Sequence, residues 1–208
     1  MALLYTINGI SGAPRQEITN YIMEFFKKKG RKVTGIADPK GSNYGQLANK
    51  IVLHHHIALS AFTEALLYLT CSKEIFDQVD WNHYDIVVCK GSFLETFGYP
   101  NQLADWELEE ARKFFFLFAK HIKHTYPFLS IILTEDYIAA EKRAGKKFEY
   151  KGKQEKYLID SNRFLRIKEH PIIQEIGIKL VNVEVKNGDP WKVFQEKIEP
   201  ILHAQPML

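Results

Sequence analysis

Alternating strand and helix segments predict an α/β fold, a three-layer arrangement in which a five-stranded parallel sheet is flanked by helices. Two observations carry this expectation: short, continuously apolar runs of the kind that form buried parallel strands, and amphipathic stretches of helical spacing between them. The strands are expected at residues 3–7, 32–36, 86–89, 130–133 and 179–185. With 208 residues and 46% hydrophobic content, the chain suits a single domain over residues 1–208 that buries roughly 70% of its unfolded surface.

The first helix follows the first strand, with Ile18, Tyr21, Ile22, Phe25 and Phe26 on one face and Lys27, Lys28, Lys29 and Gly30 closing it. A second helix is expected over residues 57–72. A third, over residues 105–126, opens on Glu107, Glu109 and Glu110, which suit a helix N-terminus, and its run from Phe114 to Phe118 calls for burial. The last helix has Asp189 as N-cap and Pro190 at its first position, with Trp191, Phe194 and Ile198 on one face. Residues 141–166 are charged with little periodicity and are expected to form a mobile flap over a site.

The net charge of +3 is small and divided among short clusters, so nucleic acid is not indicated as a partner, even at the lysines between residues 142 and 153. Cys71 and Cys89 lie in apolar surroundings without a pairing framework or metal-type spacing, which suits a reducing cytoplasmic setting. There is no basic leader ahead of an apolar stretch and no uninterrupted apolar run of membrane-spanning length, so neither export nor membrane insertion is expected.

The turn between the first strand and the first helix carries the chemistry. A phosphate loop has the spacing Gly-x-x-x-x-Gly-Lys-Ser/Thr, because bare amides wrap the phosphates, the lysine reaches their outer oxygens and the hydroxyl ligates magnesium. Here the window reads Gly9-Ile10-Ser11-Gly12-Ala13-Pro14-Arg15-Gln16. Proline replaces the second glycine, arginine the lysine and glutamine the hydroxyl. Arg15 keeps the charge as a longer planar fork, Pro14 removes one amide donor, and Gln16 offers a carbonyl oxygen on a longer side chain. Retained phosphate binding through Gly9, Ser11, Gly12, Ala13, Arg15 and Gln16 stands beside a plain strand-to-helix turn with Pro14 at the helix start.

In order and spacing the chain resembles the thymidylate kinases, a branch of the P-loop nucleoside monophosphate kinases, over nearly its whole length. Gly9 to Gln16 stands where that family has E-G-x-D-G-x-G-K-[ST]-T, and Asp38-Pro39-Lys40-Gly41-Ser42-Asn43-Tyr44-Gly45 looks like R-E-P-G-G-T-x-x-G. Ala65 to Ser72 resembles A-L-L-F-x-A-D-R, and Lys90-Gly91-Ser92-Phe93-Leu94-Glu95-Thr96 stands where the family carries S-D-R-[YF]-x-x-S. The resemblance implies a P-loop NTPase-type fold with a helical lid, a homodimer, and ATP- and Mg²⁺-dependent phosphorylation of dTMP to dTDP. It also locates losses: Ala37 and Ser72 stand for arginines, and Gly91-Ser92 for an Asp-Arg pair. Removing one such charge from a dry site costs on the order of 10²–10³ in rate, so the activity is expected to be weak, altered or lost. A non-catalytic nucleotide-binding, structural or regulatory role on the same fold is the other expectation.

The remaining candidates are read with their structural alternatives. Asp38 and Glu95 are acids at strand ends that face a ligand crevice in such a fold, or else turn and cap residues. Arg143, with Lys146 and Lys147, closes over phosphates as part of a lid, or forms a solvated helix end. Phe93, Tyr68 and Phe97 stack a base or belong to the core. Adjacent imidazoles diverge, so His54, His55 and His56 are not read as a metal site. Taken together, Arg15, Asp38 and Arg143 are the expected catalytic residues, and Glu95, Phe93 and Tyr68 the expected substrate contacts.

Overall fold

The computed structural model describes residues 2–38, 41–54, 59–95, 113, 128–169, 171–185 and 189–205. Its sheet has the strand order β2-β3-β1-β4-β5, with every pairing parallel: β1 (Leu3–Gly9), β2 (Val33–Ala37), β3 (Ile86–Lys90), β4 (Leu129–Glu135) and β5 (Leu180–Val185). All five expected strands are present, each within two residues of its expected ends, because continuous apolar runs buried on both faces have few alternatives.

The central strand also carries polar side chains inside the protein. Thr6 and Asn8 lie on one face of β1 and are fully buried. Thr6 Oγ1 is 2.6 Å from Ser130 Oγ on β4, Asn8 donates to Thr6 Oγ1 at 3.0 Å, and Ser92 after β3 donates to Asn8 Oδ1 at 2.7 Å. Each polar group therefore has a partner, as burial requires. The chain of bonds fixes the turn after β3 relative to β1.

Helix α1 (Arg15–Lys28) buries Ile18, Ile22, Phe25 and Phe26. It ends in a Schellman motif: Arg31 N donates to Phe26 O at 3.1 Å, Gly30 N to Lys27 O at 2.9 Å, and Gly30 takes φ +74°. The expected second helix starts later, at α3 (Ala61–Asp77), where the Ser60 side chain accepts from Thr63 N. Before it stands α2 (Asn43–His54), a helix the sequence reading did not place. Residues 105–126, apart from residue 113, lie outside the described residues, so the expected third helix and its phenylalanine run do too.

Residues 141–166, expected as a mobile flap over a site, fall within two helices and the turns between them. Helix α4 (Tyr137–Ala144) is capped by Asp136, whose carboxylate accepts from Ala139 N, and α5 (Gln154–Arg166) follows. Phe148, Tyr150 and Tyr157 are buried around Tyr137, Phe164 is buried in the same core, and Tyr157 donates to the Glu135 carbonyl at 2.8 Å. Aromatic side chains separated by lysines and glycines carry no simple period, yet they pack as one cluster against β4.

Helix α6 (Pro171–Ile176) leads to β5. The C-terminal helix runs through α7 (Pro190–Val193), a π-helical turn over Phe194–Ile198 and α8 (Glu199–His203). Asp189 caps it as expected, accepting from the amides of Trp191 and Lys192. Phe194 and Ile198 are buried, while Trp191 stays 44% exposed and packs edge-on against Tyr21 of α1. Among the described residues no helix is long and apolar enough to cross a membrane.

Candidate functional site

In a parallel sheet the loops at the carboxyl ends of the strands surround the ligand crevice. Here those ends bring together the turn after β1, Asp38 after β2, and Lys90 to Glu95 after β3. The turn after β1 is drawn tight. Ala13 N donates to Ile10 O at 3.1 Å and Arg15 N to Ala13 O at 2.7 Å, while Pro14, the N-cap of α1, has no N–H to offer. Three backbone positions of a phosphate cradle are thus turned inward or lack a donor. Gly12 has φ +92°, and a Cβ there would lie 2.7 Å from Ala140 Cβ and 2.8 Å from Ala140 O. Helix α4 consequently rests on the turn.

The turn nevertheless holds an anion, and that anion is internal. Glu95 Oε1 accepts from Arg15 Nη1 at 2.5 Å and from the Gly9 amide at 3.3 Å. Glu95 is brought there by the turn after β3, where its amide donates to Ser92 O at 2.9 Å and Ser92 is itself anchored to Asn8. The Arg15 and Glu95 side chains are only 26% and 16% exposed, so the pair is partly shielded from solvent.

Asp38 is buried beside this pair. Ser72 Oγ lies 2.7 Å from both of its carboxyl oxygens and donates to the carboxylate. Burial pushes the Asp38 pKa up to about 7, the Ser72 hydrogen bond draws it down, and the charge of Glu95 raises it further. Ser72 stands at the position of a base-reading arginine in the resemblance. In this chain it is a hydrogen-bond partner for a buried acid.

Gly91 accounts for a second departure. It has φ +81°, and a Cβ at this position would sit 2.6 Å from Asp38 O. An acidic side chain does not fit there without moving the backbone of the neighbouring strand end. Gln16, where a magnesium-binding hydroxyl would stand, accepts from Lys90 Nζ through its Oε1 at 2.6 Å and donates to Asn20. The donor set therefore does not suit magnesium: the hydroxyl is replaced by an amide oxygen already bonded to an ammonium, and the position of the acid is sterically closed. Among the described residues no group of three or more His, Cys, Asp and Glu is placed to hold a metal ion.

Arg143 is engaged by a different set of carboxylates. Its guanidinium donates to Glu135 at 2.7 and 3.2 Å and to Glu17 of α1 at 3.4 Å, tying α4 to β4 and α1. The Glu135 side chain is fully buried, and this burial raises its pKa despite the arginine. Phe93 is in the main core, Tyr68 is half-buried on α3, and Phe97 lies outside the described residues. Of the expected site residues, then, Gly9, Arg15 and Glu95 meet directly and Asp38 adjoins them, while Gln16 reaches Lys90. Lys90 and Asn8 were missed by sequence reasoning. A polar Thr6, Asn8 alternation inside an otherwise apolar central strand was the available signal for Asn8.

This sheet order, with a glycine turn leading from the first strand into the first helix, is a P-loop NTPase-type fold. The chain is thymidylate kinase-like. It matches the crystal structure of thymidylate kinase from Ehrlichia chaffeensis with a TM-score of 0.64 over 97% of this chain and 98% of that one, at 15% identity. In sequence it is similar to the thymidylate kinases of Thermosipho africanus (26% identity over 77 residues, 37% of this chain and 38% of that protein) and Nitrosomonas europaea (31% over 74 residues, 36% and 34%). The chain thus spans about a third of the length of the curated relatives it matches. No family model matches it.

Proposed function

We propose that this chain is a nucleotide-binding protein of the thymidylate kinase fold in which phosphorylation of dTMP by ATP is strongly reduced or lost. One observation carries the reading: the Gly9 amide and Arg15 together hold a carboxylate oxygen. A site that binds one oxyanion suits another, so a phosphate exchanges with Glu95 for the same donors. The inward-turned amides and the ammonium beside Gln16 leave the transferred group without the surrounding donors and metal on which phosphoryl transfer depends.

Calorimetric titration of the chain with ATP, followed by a coupled assay with dTMP and other nucleoside monophosphates, tests this. The expected result is binding with turnover at least about 10² below that of an intact site, since one lost stabilising charge already has that effect. Turnover at an ordinary kinase rate overturns the loss of activity, and no heat of binding overturns the nucleotide site. Glu95→Gln removes the competing charge while keeping the side chain's shape. It should tighten ATP binding by about tenfold, corresponding to one charge-assisted hydrogen bond no longer in competition. Unchanged affinity would separate Glu95 from the phosphate site.

A second reading, a dimeric structural or regulatory partner, draws on α2, where Tyr44 and Leu47 lie one turn apart and are 66% and 55% exposed. Homodimerisation through this face, in a reducing cytoplasm that keeps Cys71 and Cys89 as thiols, is checked by light scattering on the native chain and on Leu47→Asp. A dimer that the substitution splits supports this reading; a monomeric native chain removes it.

A further inference from the structure

A magnesium ion at a phosphate loop contributes positive charge between phosphate oxygens and is held by a hydroxyl at the start of the helix. In this chain the residue at that position, Gln16, directs its carbonyl oxygen at the ammonium of Lys90, 2.6 Å away. Lys90 ends β3, and its backbone is fixed on two sides: its carbonyl accepts from Asp38 N at 3.0 Å, and the next residue, Gly91, donates to Ile7 O at 2.8 Å. Gln16 directly follows Arg15 at the opening of α1, so the ammonium bound to Gln16 and the guanidinium bound to Glu95 both belong to the same helix start. Gly91 carries no acid and cannot accept one without a clash at Asp38 O. The corner that would hold a dication is thus occupied by a fixed monocation, and the groups that would ligate the metal are replaced.

We propose that Lys90 takes the place of the divalent cation in this site, so that the phosphates of a nucleotide bind between Arg15 and Lys90 without magnesium. This rests on the phosphate-binding reading above and adds its cation requirement. Two like charges in one corner repel, so magnesium brought in by the nucleotide gains little there. The amide oxygen of Gln16 positions the ammonium, and Arg15 binds the phosphates once Glu95 gives way.

The test is calorimetric titration of the full chain with ATP, once in excess EDTA and once in excess MgCl₂. The expected result is one dissociation constant, equal within about twofold in the two buffers, and a loss of about tenfold in Lys90→Met, the usual effect of removing a hydrogen-bonded charge. Tightening of tenfold or more by magnesium in the native chain overturns this proposal while leaving nucleotide binding intact. Unchanged affinity in a folded Lys90→Met chain also overturns it. Absence of binding in both buffers overturns the nucleotide site itself, and the proposal with it. The comparison of buffers uses the unmodified chain and so does not depend on the folding of any variant.

Discussion

Asp38→Asn will flatten the pH dependence of stability between about pH 4 and pH 7. Burial raises the Asp38 pKa from 3.8 in the open chain to about 7 in the folded one. Between those values the folded state binds a proton that the unfolded state has released, so stability falls as pH rises through the window. The favourable contribution is fully present below about pH 4 and lost above about pH 7. The difference is on the order of 4 kcal/mol, because each tenfold change in proton affinity corresponds to about 1.4 kcal/mol. Asparagine resembles the neutral acid in shape and still pairs with Ser72. Urea unfolding at several pH values should therefore give a native midpoint that falls across this window and a variant midpoint that does not. A native midpoint that instead rises toward pH 7, after allowance for other groups through the variant, would show that Asp38 is ionised in the fold. The same titration bears on the site, since the ionised form adds a second negative charge next to Glu95 where a phosphate is proposed to bind.

Arg143→Met is expected to destabilise the fold by about 3–5 kcal/mol at neutral pH, the usual effect of leaving a buried charge without its partner. Glu135 is fully buried and receives two guanidinium bonds from Arg143, and removing them leaves desolvation unopposed. The deficit has a sign in pH as well. Burial already raises the Glu135 pKa, and Arg143 is the group that restrains it. Without the arginine the pKa rises further, so the variant loses most stability at high pH and recovers as Glu135 is protonated on acidification. Arg143→Met combined with Glu135→Gln should restore much of the lost stability, because the charge is then gone together with its partner. Thermal melts of both variants across pH measure this. A single variant as stable as the native chain would show that Glu135 does not depend on Arg143 for its compensation.

The extent to which these features were legible in the sequence differs residue by residue. The strands, the face of α1 and the Asp189 cap depend on neighbours within a few positions, and local patterns state them directly. The glycines and Arg15 of the phosphate turn were visible in the same way. The partner of Arg15 was not, because Glu95 lies 80 residues away and is aimed by the bonds of Ser92 and Asn8. Arg143 shows the limit from the other side: its charge suggested a lid residue over phosphates, and its pairing with Glu135 at the end of β4 is a contact that only the folded chain shows.

By itself the sequence determined the alternation of strands and helices, the resemblance to thymidylate kinases and the replacement of the charged residues at Ala37, Ser72 and Gly91-Ser92. Only the tertiary structure decided what the replacements do. It put Ser72 on Asp38, placed Lys90 on Gln16, and closed the glycine turn over the carboxylate of Glu95. The physical reason is that secondary structure follows from periodic burial along a short stretch of chain. Charge, in contrast, acts through space, so the state of a site depends on which distant side chains the sheet order brings within hydrogen-bonding distance.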